Sequence, residues 1–214
     1  MFEFKGAIFD LDGTIIDSMW IWEKIDKDFF KAREIDMPED YFEIVNSMSF
    51  EEVAKYTIER FNLDESVEDV VNEFNERALY HYKHEIKLKP YVKEYLDLLK
   101  SQNVKIGLAT SSPKYLYEAV LKSNGIYEIF DSYTTIDEVT RNKSYPDIYE
   151  LACHKLGLSP NECIGFEDIL SGSKSMKSIG MIVVGVYDES SEYEKKAIQE
   201  ICDLFIYSFN ELLK

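Results

Sequence analysis

Positive charge is what this sequence lacks most: 24 lysines and arginines stand against 41 aspartates and glutamates, a formal net charge of -17. A nucleic acid or an anionic membrane needs a basic face, so the reading excludes both as partners. A small phosphorylated ligand stays open, because local charge in a cleft can oppose the global sign. Cysteine is scarce as well. Cys153, Cys163 and Cys202 are odd in number, widely spaced and without a metal-ligand pattern, so they read as reduced thiols and zinc is set aside. No apolar run approaches the ~18 residues of a membrane helix and no signal peptide opens the sequence, which makes cytoplasmic the expected setting. Repeats and low-complexity tracts are absent. His81, His84 and His154 have no convincing base or ligand partners in the sequence and read as structural.

What is present is apolar and aromatic. Hydrophobic residues make up 45%, with 13 Phe and 15 Tyr, enough for an ordered core. The length suits one domain with a large insertion, or two small ones.

The informative stretch is residues 8–18, where Ala7, Ile8 and Phe9 stop at Asp10-Leu11-Asp12-Gly13-Thr14. An apolar run of this kind reads as a buried strand, and Gly13 as a sharp turn. Side chains at i and i+2 share one face of an extended chain, so both carboxylates can point into one small volume. Two anions that close need a cation between them or a shared proton. Magnesium, a hard cation taking carboxylate, water and phosphate oxygens, is a natural candidate.

Downstream, spacings of three and four predict a helix with Trp22, Ile25, Phe29 and Ala32, capped by Asp17 or Ser18. A second helix follows with Phe50, Val53, Ala54, Ile58 and Phe61, and a third with Val67, Val70, Val71, Phe74 and Ala78. Residues 16–87 therefore read as an all-helical block without strand signal. From Pro90 the texture alternates. Strands are expected over 104–109, 129–133, 163–166, 181–186 and 204–206, with helices between them. Alternating units of this kind imply a parallel sheet covered on both faces, with sites beyond the carboxyl ends of its strands. Asp10 and Asp12, Thr110, and Glu167 with Asp168 end three of those strands, and Lys143 lies in a loop that can reach the same rim.

In that order, Asp10-Leu11-Asp12-Gly13-Thr14, Thr110, Lys143 and Glu167-Asp168 resemble the motifs of the haloacid dehalogenase superfamily, in particular its capped phosphatase and β-phosphoglucomutase-like branch. The resemblance implies an α/β fold, a Rossmann-like doubly wound parallel sheet over residues 1–15 and 88–214, with residues 16–87 inserted as a helical cap. It implies Asp10 as nucleophile and Asp12 as general acid and base. Thr110, Ser111 and Lys143 would hold the phosphate, and Asp10, Asp12 through its carbonyl, Glu167 and Asp168 would hold Mg2+. The expected activity is magnesium-dependent hydrolysis of a small phosphorylated metabolite through an aspartyl phosphate. The physical chemistry suits those roles, since phosphoryl transfer is mostly positioning and charge neutralisation.

Departures from the branch favour hydrolysis over a mutase. A mutase must retain a second phosphate, yet residues 20–22 read Trp-Ile-Trp and residues 45–50 supply no cation. Asp12 disfavours dehalogenation, which has no leaving alkoxide to protonate. Ser144 stands where proline is common. An alternative of another class is a phospho-acceptor signalling module; such receivers are compact, and the helical insertion argues against one. The sequence leaves oligomeric state open, with a monomer favoured.

Overall fold

The computed structural model describes residues 3–45 and 48–213. They form two compact units, one of Met1–Ser18 with Ile86–Lys214 and the other of Met19–Glu85. Asn46 and Ser47, part of the expected loop at 45–50, lie outside the described residues.

The smaller unit is helical: α1 (Trp20–Ala32), α2 (Tyr41–Val45), α3 (Phe50–Phe61) and α4 (Val67–His84). In α1 the buried residues are Ile21, Ile25, Asp26, Phe29 and Phe30; Ile25 and Phe29 face inward as the spacing predicts, while Ala32 is exposed and Trp22 half-buried. Ser18 does not cap this helix; Met19 stands at that position without a side-chain bond. The start of α3 is fixed by a capping box, Ser49 accepting from the Glu52 amide while the Glu52 carboxylate accepts from the Ser49 amide. Arg33, just past α1, joins Glu65 at 2.5 Å and Glu73 at 2.7 Å and lies 3.5 Å over the Phe29 ring, tying α1 to α4.

The larger unit is a six-stranded sheet in the order β5-β4-β1-β6-β7-β8 with every pairing parallel. Its strands are β1 (Gly6–Phe9), β4 (Lys105–Thr110), β5 (Ser132–Thr135), β6 (Cys163–Glu167), β7 (Ile182–Val186) and β8 (Leu204–Ile206). Helices α5 (Val92–Ser101), α6 (Lys114–Ser123), α7 (Asp147–Lys155), α8 (Leu170–Ser178) and α9 (Lys195–Ile201) supply the crossovers. Ile8 faces a core with Ala109, Tyr149, Ala152, Met176 and Val183, whereas Phe9 on the opposite face stacks on Phe166 at 4.4 Å. That alternation buries β1 on both sides and makes it the centre of the unit.

Two local expectations are corrected. The strand expected at 129–133 begins at Ser132, because Tyr127–Ile129 forms a 3-10 turn. Ile16–Asp17 (β2) and Lys87–Leu88 (β3) pair antiparallel as a short ribbon, where the sequence carried no strand signal. Two residues per strand are too few to show a period. Among the described residues no helix is long and apolar enough to cross a membrane.

Candidate active site

β1 delivers Asp10 to the carboxyl edge, where its amide donates to the Phe166 carbonyl of β6 at 3.0 Å. The chain then folds back at once: the amides of Ile15 and Ile16 both donate to the Leu11 carbonyl, at 3.0 and 3.1 Å. Gly13 has φ +80°, and a Cβ there would lie 2.4 Å from Asp168 Oδ2, so conformation and space both demand glycine. This close approach seats β6 against the turn. Thr14 Oγ1 donates to Asp168 Oδ1 at 2.7 Å and lies 3.4 Å from Asp10 Oδ2.

Asp10, Glu167 and Asp168 form one buried cluster, with one oxygen of each within 4.8 Å of the others. Lys143 reaches in from its loop, donating to Asp10 Oδ1 and lying 3.4 Å from Glu167 Oε2. Burial pulls the lysine toward its neutral form, but Asp10 and Glu167 outweigh that and hold it charged, well above the ordinary lysine range. Three carboxylates remain against one cation. Burial, with Asp10 adding repulsion, pushes Asp168 up to about 8 and raises Glu167 well above its ordinary value. Lys89 moderates this from a distance, its charge lowering Asp168 while it is paired to Asp188 at 2.8 Å.

Asp12 is engaged differently. Ser18 Oγ donates to one of its carboxylate oxygens at 2.7 Å and Ser112 Oγ to the other at 2.6 Å. Asp12 is thus not one of the three clustered acids. Ser112 itself is set by its own amide, which donates to Thr110 Oγ1 at 2.9 Å. Thr110 is fully buried and Ser111 exposed at the end of β4. Sequence reasoning missed Ser18, Ser112 and Lys89; the Thr110-Ser111-Ser112 run was the signal available for Ser112, and the other two carried none.

The donor set fits a hard divalent cation on structural grounds. Glu167 Oε1 is buried without a hydrogen-bond partner, and a Cβ on Gly172 would come within 2.5 Å of it. Buried all-oxygen acid clusters with an unsatisfied lone pair are what such cations neutralise.

A parallel sheet carrying an acid cluster and a lysine at its carboxyl edge defines a doubly wound α/β enzyme of the strand-end type. Residues 7–186 match the family described as haloacid dehalogenase-like hydrolase, and the chain belongs to that family. It is 31% identical over 202 residues to the β-phosphoglucomutase of Bacillus subtilis (strain 168), covering 85% of this chain and 83% of that protein. Hexitol phosphatase B of Escherichia coli (strain K12) is 26% identical over 210 residues, covering 97% and 93%. Among solved structures, CbbY from Rhodobacter sphaeroides in complex with phosphate superposes with TM-score 0.78 at 24% identity, covering 98% of this chain and 96% of that one, a likeness of fold.

Proposed function

We propose that this hydrolase is a phosphoric monoester hydrolase acting on a small phosphorylated carbohydrate or related metabolite, with Asp10 as nucleophile. The observation that carries the reading is the separation of the two motif acids. Asp10 sits beside Lys143, Glu167 and Asp168, while Asp12 is held by two hydroxyls. One carboxylate is placed for attack and the other for proton transfer.

An Asp10 carboxylate oxygen bonds to phosphorus as the bond from phosphorus to the ester oxygen breaks, and the leaving oxygen takes its proton from Asp12. Water then attacks the aspartyl phosphate and returns a proton to Asp12, releasing phosphate and restoring Asp10. Lys143 offsets charge on the transferring phosphoryl group, and Thr110 and Ser111 orient its oxygens. Asp10, Glu167 and Asp168 would hold Mg2+, which supplies further charge neutralisation when bound. Buried charge of this kind acts strongly because it needs no reorganisation during reaction. The helical unit is assigned the part of a cap that selects the leaving group. The names of the relatives, a hexitol phosphatase and a phosphoglucomutase, support a sugar or polyol phosphate.

The test is phosphate release from a panel of sugar and polyol phosphates, phosphoglycolate and nucleoside monophosphates with and without magnesium. Asp10→Asn is expected to lower turnover at least ~10^3-fold while the fold persists. Ready hydrolysis by folded Asp10→Asn protein would remove the covalent route. The likeness to a mutase supports a second reading, distinguished in the same assay by conversion of a hexose 1-phosphate into its 6-phosphate without phosphate release.

A further inference from the structure

A second lysine stands at the rim of the acid cluster, held by a partner of its own. Lys89, just past β3, donates from Nζ to the Tyr187 carbonyl at 2.7 Å and lies 2.8 Å from Asp188 Oδ2. Its amide donates to the Ile15 carbonyl at 3.0 Å, one residue beyond the Thr14 that bonds Asp168. Asp188 follows Tyr187 in the loop after β7 and is fixed in turn, its Oδ1 accepting from the Ser190 amide at 2.9 Å and from the Ser190 hydroxyl at 2.5 Å. The two side chains are 13% and 9% exposed, so both charges are largely out of water. A pair this buried is weak evidence for stability, because desolvation offsets most of the attraction. What the pair does reach is Asp168. Lys89 lowers the Asp168 carboxyl, and Asp188, the weaker influence, raises it, so the ammonium end of the pair acts on the cluster more strongly than the carboxylate end.

We infer that Lys89 and Asp188 set the charge balance of the metal and phosphate site, Lys89 disfavouring the divalent cation and favouring the phosphate dianion, and Asp188 doing the reverse. The inference rests on the phosphatase reading and deepens it. Three clustered carboxylates against Lys143 give the site a strong bias toward a cation, yet a phosphate monoester brings roughly two negative charges at neutral pH. A site built for the metal alone would repel that substrate. A fixed positive charge beside the metal ligands lowers cation affinity and raises anion affinity through the field it makes, without touching either ion. Lys89 suits the part because, among the described residues, it forms no ion pair with Asp10, Glu167 or Asp168. Bonds to the turn after β1 and to the loop after β7 hold it in place. Asp188 has the complementary part: by keeping the ammonium, it leaves Asp168 free for the metal.

The experiment measures, by calorimetry at one fixed pH, magnesium binding to the full chain and inorganic phosphate binding to the magnesium-saturated chain, for the parent, Lys89→Met, Asp188→Asn and the double variant. The expected result is a set of opposed signs. Lys89→Met should bind magnesium at least ~5-fold more tightly and phosphate at least ~5-fold more weakly, Asp188→Asn should move both constants the other way by less, and the double variant should return to within ~3-fold of the parent. A pair that only braced the rim would weaken both ions in both variants; that pattern, or unchanged constants, would overturn the inference while leaving the phosphatase reading in place. A parent chain that binds no magnesium would instead remove the metal-dependent reading, and the inference with it. Should Lys89→Met not fold, Asp188→Asn decides alone through its own pair of opposed signs.

Discussion

Each unit buries acid, and the two do so on opposite terms. At the end of β1, Asp10 and its neighbours share Lys143, Thr14 and a glycine cut to fit. On α1, Asp26 stands among aromatic rings and, among the described residues, has no ion pair and accepts no hydrogen bond. Burial favours the proton in both places, but in the first a lysine and hydroxyls hold part of the charge. The difference lies in how much of the surrounding chain is committed to the acid. Motif residues from three segments meet at Asp10, whereas Asp26 shares a cavity wall with Trp22, Phe50 and Phe74. A site prepared for charge and one that is not should respond differently to substitution.

The largest response is expected at Lys143. Lys143→Met keeps much of the stem but leaves Asp10 and Glu167 buried without their cation. Removing one member of a buried pair costs about 3–5 kcal/mol, so urea unfolding at pH 7 should show a loss on that order. Turnover should fall at least ~10^2-fold, because the phosphoryl oxygens lose a preorganised charge. An unchanged unfolding midpoint would mean that the acid cluster does not depend on the lysine.

Gly13→Ala comes next. A left-handed alanine costs about 1–2 kcal/mol, and the displaced Asp168 side chain adds about 1–3 kcal/mol. The same denaturation series should show a loss of about 3 kcal/mol. Because Asp168 must move, magnesium affinity followed by calorimetry should weaken in parallel. If stability fell while magnesium affinity held, the contact between the turn and Asp168 would be packing alone.

The contrast also explains what could be read from the sequence. The doubly wound sheet was legible because a strand buried on both faces is a continuous apolar run, and Ala7-Ile8-Phe9 and Cys163-Ile164-Gly165-Phe166 each end abruptly at acid. Family membership was legible because the motifs keep their order over most of the chain. The hydroxyls on Asp12 were not, since Ser18 reads equally well as a helix cap and nothing in the sequence says which way it turns. The ribbon of β2 and β3 is too short to show alternation. Asp26 was invisible for the opposite reason. An acid two residues from Lys24 and one from Lys27 looks solvated, and only the breadth of the buried face of α1, which takes in Phe30 as well as Ile25 and Phe29, carries it into the core.

That burial gives the smallest of the expected effects and the one most specific to the helical unit. Burial, with Glu23 adding repulsion, pushes Asp26 up to about 7 from its ordinary 3.8. Between those values the folded protein keeps the proton that the unfolded chain has released. The folded state therefore binds more protons, and stability from this group falls as pH rises through the window, levelling above pH 7. Asp26→Asn mimics the protonated acid at every pH, and any cost of its own buried amide is the same throughout. The difference in unfolding free energy between Asp26→Asn and the parent should therefore shift in favour of the variant by roughly 2–3 kcal/mol from pH 5 to pH 8. A pH-independent difference would place Asp26 in water, and with it would go the contrast between the two buried acids.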